Sequence, residues 1–119
     1  MNGKIMKRYR ADRVLTIAEL YELEDGEAVK VGGQIIYIKK MTTEDSKQPM
    51  AVIEIEDDEN QVEVIISPEA YEKWSVFIKY NAMVIVSGKI SQKHKDPAVI
   101  AESITPQNVG LPNEPGISK

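Results

Sequence analysis

Alternating apolar and polar residues in the middle of the chain predict two neighbouring strands. In the segment "MAVIEIED" every second residue is apolar, and the same spacing returns in "VEVII". Side chains on a strand point alternately to its two faces, so each segment has one face suited to a core. Asp58, Glu59 and Asn60 between them are typical of a turn. The two segments predict a β-hairpin whose inward residues are Ala51, Ile53, Ile55, Val62, Val64 and Ile66.

Directly after this hairpin, the apolar spacing changes from that of a strand to that of a helix. Ser67 is a favourable N-cap, Pro68 fits the first helical position, and Glu69 suits the positive end of the helix dipole. The apolar residues that follow form one stripe at helical spacing: Ala70, Tyr71, Trp74, Phe77 and Ile78. A helical aromatic stripe is typical of core packing, so we interpret its aromatic residues as structural and not as a cofactor or base platform.

The flanking segments predict a short helix and three more strands. Thr16 and Glu19 form a capping-box pattern in "TIAEL". The run "EAVKVGGQIIYIKK" is extended, and its apolar phase shifts after Gly32-Gly33, which indicates a bend or bulge. The polar segment "MTTEDSKQP" predicts an exposed loop. The last two strands are "AMVIVSGKIS" and "AVIAESI", joined by "QKHKDP".

Five strands, with a bent first strand and a helix between the third and the fourth, is the order of the oligonucleotide/oligosaccharide-binding (OB) barrel. The predicted fold class is therefore all-β with a short helix, a Greek-key barrel whose inserted helix closes one end. We expect this domain to span residues 16–106. The composition of residues 107–119 predicts a disordered tail or linker. Residues 1–15 predict a basic arm or linker, because they contain Lys4, Lys7, Arg8, Arg10 and Arg13.

Composition limits the classes of function. With 119 residues, 42% of them hydrophobic, the chain fits one domain. The lack of a long apolar segment predicts a soluble, cytoplasmic protein, and the lack of cysteine excludes disulfides. The net charge of -4 and the pI of about 5.1 argue against a surface that binds phosphate throughout. Any contact with nucleic acid must therefore be local.

Several segments resemble the OB domain of the bacterial DNA polymerase III alpha subunit family. The similar stretches are "VKVGGQI", "IKK", "PMAVIEIED", "VEVIISPEAYEKW", "VIVSGKIS" and "AESITP". The resemblance covers residues 16–106. It implies a non-catalytic domain that binds single-stranded DNA beside the polymerase core in replication. It also implies basic positions at Lys39 and Lys40 on the first strand, Lys47 in the next loop and Lys89 on the fourth strand.

A surface that binds a single strand needs cations for the phosphates and flat side chains on which bases stack. In an OB barrel the first strand, the fourth strand and the loops after them border one groove. Tyr37 is a stacking platform if Ile36 and Ile38 point inward, and a core residue if the bulge falls one residue later. The alternative for the basic residues is that they only solubilise the surface. The candidate lysines are Lys39, Lys40, Lys47, Lys89, Lys93 and Lys95.

The sequence offers little for catalysis or metal binding. It has no apparent Ser-His-acid set and no glycine-rich loop before a helix. His94, the single histidine, lacks Cys or carboxylate partners at ligand spacing; it is either solvated or in contact with phosphate. The acidic run from Glu54 to Glu59 lacks the internal glycine of a calcium loop and is interpreted as a charged turn. We therefore expect neither enzymatic activity nor a cofactor.

Three hypotheses for the function follow. The first is an OB module that binds single-stranded DNA weakly and without sequence specificity, as part or relative of a polymerase III alpha subunit. The second is an OB module for protein contact in a replication assembly, through the outward residues Val52 and Ile65 and the acidic rim. The third is the anticodon-binding domain of a class II aminoacyl-tRNA synthetase. That third class usually has an Arg and a Phe in the first hairpin, and neither occurs here.

Overall fold

A computed structural model describes residues 13–93 and 95–107 of the 119-residue chain. The short N-terminal elements are β1 (Val14–Leu15) and α1 (Ile17–Leu20). Three strands follow: β2 (Ala28–Thr42), β3 (Pro49–Glu56) and β4 (Gln61–Ile66). Helix α2 (Pro68–Trp74) continues into a 3-10 turn (Ser75–Phe77), and the described part ends with β5 (Met83–Ser91) and β6 (Ala98–Pro106).

Strands β2 to β6 close into a barrel. The order of hydrogen-bonded neighbours is β2-β3-β4-β6-β5, and β5 pairs again with β2. The pairing of β4 with β6 is parallel, whereas the other pairs of barrel strands are antiparallel. Helix α2 lies between the third and the fourth barrel strand in the chain. This arrangement confirms the prediction of an all-β, five-stranded OB barrel with an inserted helix.

Strand β2 bends so that it can pair with two partners. Its first half, from Ala28 to Gln34, pairs with β5, and its second half pairs with β3. The register shifts between Ile35 and Tyr37, which makes Ile36 the extra residue of a bulge. The glycine pair that predicted the bend therefore lies just before the bulge. Gly33 is needed for close approach, since a Cβ there would lie 2.9 Å from the carbonyl oxygen of Glu56.

Each end of the barrel is covered by a helix. At one end α1 buries Ile17 and Leu20 completely, and the predicted capping box between Thr16 and Glu19 is formed. At the other end α2 begins as predicted, with the Ser67 side chain accepting from the Ala70 backbone N–H. Its apolar stripe packs on the core, which confirms the structural interpretation of these residues: Ala70, Tyr71, Trp74, Phe77 and Ile78.

One detail differs from the sequence-based expectation. Val14 and Leu15 were assigned to the basic arm, but they pair in parallel with Lys30 and Val31, and Leu15 is buried. The folded part therefore extends at least two residues beyond the expected boundary at 16. Residues 1–12, His94 and 108–119 lie outside the described residues, so the predictions for them stay predictions. Within the described ranges, no helix is long and apolar enough to span a membrane.

Candidate nucleic-acid interface

The outer face of the barrel carries a row of side chains that crosses all five barrel strands. Residues directly opposite each other on paired strands present their side chains to the same face. Along this row Lys39 pairs with Val52, Val52 with Ile65, Ile65 with Ile100, and Ile100 with Lys89. Three apolar residues are thus bordered by a lysine at each end. We call these five residues the lysine-bordered row.

A second row on the same face is acidic. Tyr37 pairs with Glu54, and Glu54 pairs with Glu63. Tyr37 is 47% exposed because the bulge at Ile36 turns Ile35 and Ile38 towards the core and Tyr37 outward. This is the exposed alternative of the two that the sequence left open. The residues Tyr37, Glu54 and Glu63 are called the acidic row.

The two consecutive lysines of β2 point to different sides of the sheet. Lys39 faces outward opposite the half-buried Val52, whereas Lys40 lies opposite Ala51, which is fully buried. Lys40 is nevertheless exposed, because it lies near the end of the barrel. There it lines a cavity of about 520 Å³ together with Ile38, Ile78, Lys79 and Tyr80, which we call the Tyr80 cleft. The two adjacent lysines that the resemblance implied as basic positions therefore lie on two different surfaces.

The loop lysines lie at opposite ends of the outer face. Lys47 has a positive φ of 57° in the loop before β3, where its N–H donates to the carbonyl oxygen of Thr43 (3.1 Å). Lys93 and Lys95 belong to the loop between β5 and β6. That loop precedes Ala98, which pairs with Glu63 on β4, and Glu63 in turn pairs with Glu54 on β3. The loop therefore lies near the C-terminal end of β3, whereas Lys47 precedes its N-terminal end. All three side chains are exposed.

The loop between β5 and β6 also borders a cleft on the outer face. The cavity has a volume of about 370 Å³, and its lining includes Tyr21, Glu54, Glu63 and Lys95. Tyr21 is 50% exposed and was not identified from the sequence. It follows α1 directly, and only the three-dimensional packing of α1 on the barrel end brings it beside β4. The loop itself is fixed where the Gln92 N–H donates to Asp25 Oδ1 (2.7 Å).

Carboxylates counteract the lysines on this face. Lys89 lies 4.0 Å from Glu102, measured from Nζ to Oε2, and both side chains are more than half exposed. Such an exposed ion pair is worth little in stability, but it partly neutralises the lysine. The acidic row adds Glu54 and Glu63 beside the apolar residues of the lysine-bordered row, towards the β3–β4 turn. The positive charge of the outer face is therefore opposed both at Lys89 and beside the apolar residues.

The groups with shifted pKa values lie away from these lysines. Partial burial opposes ionisation of Asp57, but hydrogen bonds from the backbone N–H groups of Ile17, Glu59 and Asn60 outweigh it and lower its pKa. Asp57 thus connects the β3–β4 turn to the start of α1 and has a structural role. Among the described residues no group of His, Cys, Asp and Glu side chains could hold a metal ion.

Comparison with known proteins identifies relatives at the level of sequence. The family model described as "OB-fold nucleic acid binding domain" matches residues 29–107. The DNA polymerase III subunit alpha of Saccharopolyspora erythraea is 28% identical over 106 residues, which cover 86% of this chain and 9% of that protein. The chain therefore spans about a tenth of the length of this relative.

Two solved structures resemble the fold. The hypothetical protein ygiW from E. coli has a TM-score of 0.60 and 16% identity, over 80% of this chain and 90% of that one. A chain of the S. pombe Stn1-ten1 complex has a TM-score of 0.54 and 20% identity, over 67% of this chain and 57% of that one. At these identities the likeness concerns the fold alone.

Proposed function

The chain belongs to the family of OB-fold nucleic acid binding domains, and from this premise we propose that it binds single-stranded DNA, weakly and without sequence specificity, on the outer face of the barrel. Its similarity to a polymerase III alpha subunit supports a place in DNA replication. The proposed role requires no catalytic group from this chain.

The observation that carries the proposal is the pair formed by Tyr37 and Lys39. Both side chains are exposed on the outer face, two positions apart on β2. A base stacks on an aromatic ring, and a lysine on the same strand edge neutralises the adjoining phosphate. Lys47, Lys89, Lys93 and Lys95 surround this pair at the margins of the face and supply further phosphate contacts. The acidic row weakens binding because Glu54 and Glu63 repel phosphate.

The proposal is tested by titrating a fluorescent oligo(dT) and measuring anisotropy at about 50 and 200 mM salt. Lys39→Gln removes one phosphate contact, so it should lower affinity and reduce the slope of log K against log salt by about 0.7. Tyr37→Ala should weaken binding by about 1 kcal/mol or more and leave the slope unchanged, because stacking releases no counterions. Lys30→Gln is the charge-matched control, since Lys30 lies on β2 outside both rows. Absence of saturable binding by the unaltered chain at low salt would refute the proposal.

A second candidate function, protein contact, is favoured by the apolar centre of the lysine-bordered row. Val52 and Ile65 are half-buried and Ile100 is 40% exposed, and they are continuous across three strands. In this hypothesis the row packs against another part of the replication protein, with the acidic row at its rim. Ile100→Asp should then abolish association with the remainder of the polymerase III alpha subunit in a pull-down. Val76→Asp, at an apolar residue that is 63% exposed on the 3-10 turn, is the control.

A further inference from the structure

We propose that the Tyr80 cleft is a second contact site for the same single strand, which takes a phosphate at Lys40 and Lys79 and a base on the ring of Tyr80. This inference rests on the proposed single-strand binding. It differs from it in location, because the cleft lies on the inner side of β2 at the end of the barrel and not on the outer face. Lys79 and Tyr80 were not among the residues predicted from the sequence.

The Tyr80 cleft is positively charged. Five residues line it, and two of them, Lys40 and Lys79, are cationic while none is acidic. Both lysines are exposed, and neither forms an ion pair with another residue in the described part of the chain. On the outer face, in contrast, Lys89 is paired with Glu102. A phosphate therefore meets an uncompensated positive charge in the cleft, although the whole chain has a net charge of -4.

Tyr80 is positioned so that its ring can accept a base. Its hydroxyl donates to the carbonyl oxygen of Ile38 at 3.3 Å, while 60% of the residue remains exposed. The pairing of β2 with β5 ends at Gln34, so Ile38 has β3 on one edge and no strand on the other. The hydrogen bond from Tyr80 holds the ring against that open edge. A ring that is fixed at one end and exposed over most of its surface is suited to stacking with a base.

The cleft is continuous with the outer face around the edge of β2. Lys39 and Lys40 are consecutive, and they point to opposite sides of β2. A strand that stacks on Tyr37 and contacts Lys39 can cross the open edge of β2 and reach Lys40 at the next step. Ile38 and Ile78 provide an apolar floor between the two lysines and the ring. The cleft thus extends the outer-face site around the strand edge.

The test is an anisotropy titration of the chain with oligo(dT) at about 50 and 200 mM salt. Lys40→Gln/Lys79→Gln should weaken binding about tenfold at the lower salt and reduce the salt slope by about 1.4, two contacts at about 0.7 each. Tyr80→Ala should weaken binding about fivefold or more with the slope unchanged. Tyr80→Phe keeps the ring but loses the hydrogen bond that holds it, so its affinity should lie between those of Tyr80→Ala and the unaltered chain. Lys30→Gln/Lys73→Gln makes the same change in net charge at two residues that do not line the cleft, and it should bind like the unaltered chain.

The outcomes separate this inference from the proposed function. The Lys40/Lys79 and Lys30/Lys73 double variants could bind oligo(dT) alike while Lys39→Gln and Tyr37→Ala weaken binding. That result would refute binding in the cleft and support binding on the outer face. If the unaltered chain does not bind, both are overturned. Backbone amide NMR shifts of the unaltered chain on adding oligo(dT) give an independent test that needs no variant. Shifts at Lys40, Lys79 and Tyr80 support the cleft, and their absence beside shifts at Tyr37 overturns it.

Discussion

Replacement of Gly88 by alanine should destabilise the barrel more than any other glycine substitution in the described strands. Gly88 lies on β5 directly after a shift of register against β6. A Cβ at this position would overlap the carbonyl oxygen of Ile100 and would lie 2.9 Å from its carbonyl carbon and 3.1 Å from the Cα of Ala101. All three atoms belong to the backbone, so no side-chain rotation can relieve the overlap.

The magnitude follows from three effects. Forcing a methyl group into packed backbone costs about 1–3 kcal/mol. Moving β6 away weakens one or two hydrogen bonds of the β5–β6 ladder, at about 1 kcal/mol each. The reduced entropy of the unfolded chain with alanine returns about 0.4–1 kcal/mol. The net loss in the free energy of unfolding is therefore about 1–5 kcal/mol, with about 3 kcal/mol near the middle of the range. Because Lys89 and Ile100 flank the overlap, the lysine-bordered row should also be distorted.

Urea unfolding followed by the fluorescence of Trp74 measures this loss. The Trp74 indole N–H donates to the carbonyl oxygen of Glu102 on β6 (3.2 Å), so the probe reports on the affected strand. Gly32→Ala is the matched control, since a Cβ there meets the end of the Gln107 side chain at 3.2 Å, which can rotate. We expect the control to change stability by less than about 1 kcal/mol. Equal stability of Gly88→Ala and the unaltered chain, with the same urea dependence, would refute the reasoning.

Three further predictions concern the caps that connect the elements. Asp57→Ala should cost about 2–3 kcal/mol in urea unfolding, because the N–H groups of Ile17, Glu59 and Asn60 lose their acceptor. The pKa of Asp57 is lowered in the folded state. The stabilisation by its carboxylate is therefore complete above the ordinary aspartate pKa of 3.8, and it is lost as the pH falls through the lowered pKa. Below pH 4 the unaltered chain should lose stability more steeply than Asp57→Asn. Equal slopes would contradict this assignment. Ser67→Ala should cost about 1 kcal/mol and Ser67→Asp should restore it, as measured by thermal unfolding, because the side chain caps α2.

The strand-to-helix transition at Ser67 was predictable because its signals are local. The period-two spacing of β4, the N-cap and the proline at the first turn are adjacent in sequence, and none depends on a distant contact. The aromatic stripe of α2 also indicated that the helix packs against an apolar surface. Together these features fixed the order of elements and hence the barrel. The same reasoning predicted the capping box of α1.

The faces of β2 were harder to predict because a shift of one residue reverses every side chain beyond it. The glycine pair indicated a bulge, but its position at Ile36 depends on how β2 crosses from β5 to β3. That position decides that Tyr37 and Lys39 face outward while Lys40 faces the Tyr80 cleft. Lys79 and Tyr80 follow the 3-10 turn without a regular pattern, and only their packing against Ile38 brings them beside Lys40. No local sequence pattern predicts this contact between Tyr80 and Ile38.

The arrangement of charge constrains how a single strand would lie on this barrel. Glu54 and Glu63 lie beside the apolar residues of the lysine-bordered row, so phosphates above them are repelled, whereas the amino groups of bases can donate hydrogen bonds to carboxylates. Lys39 lies on the outward side of the β2 edge, and around that edge Lys40 borders the Tyr80 cleft, which has no acidic lining residue. For the proposed complex we therefore expect the bases to lie over the acidic row, which includes Tyr37, and the backbone to follow the β2 edge. In this orientation a chain with a net charge of -4 still attracts phosphate, because only a narrow margin of its surface contacts the backbone.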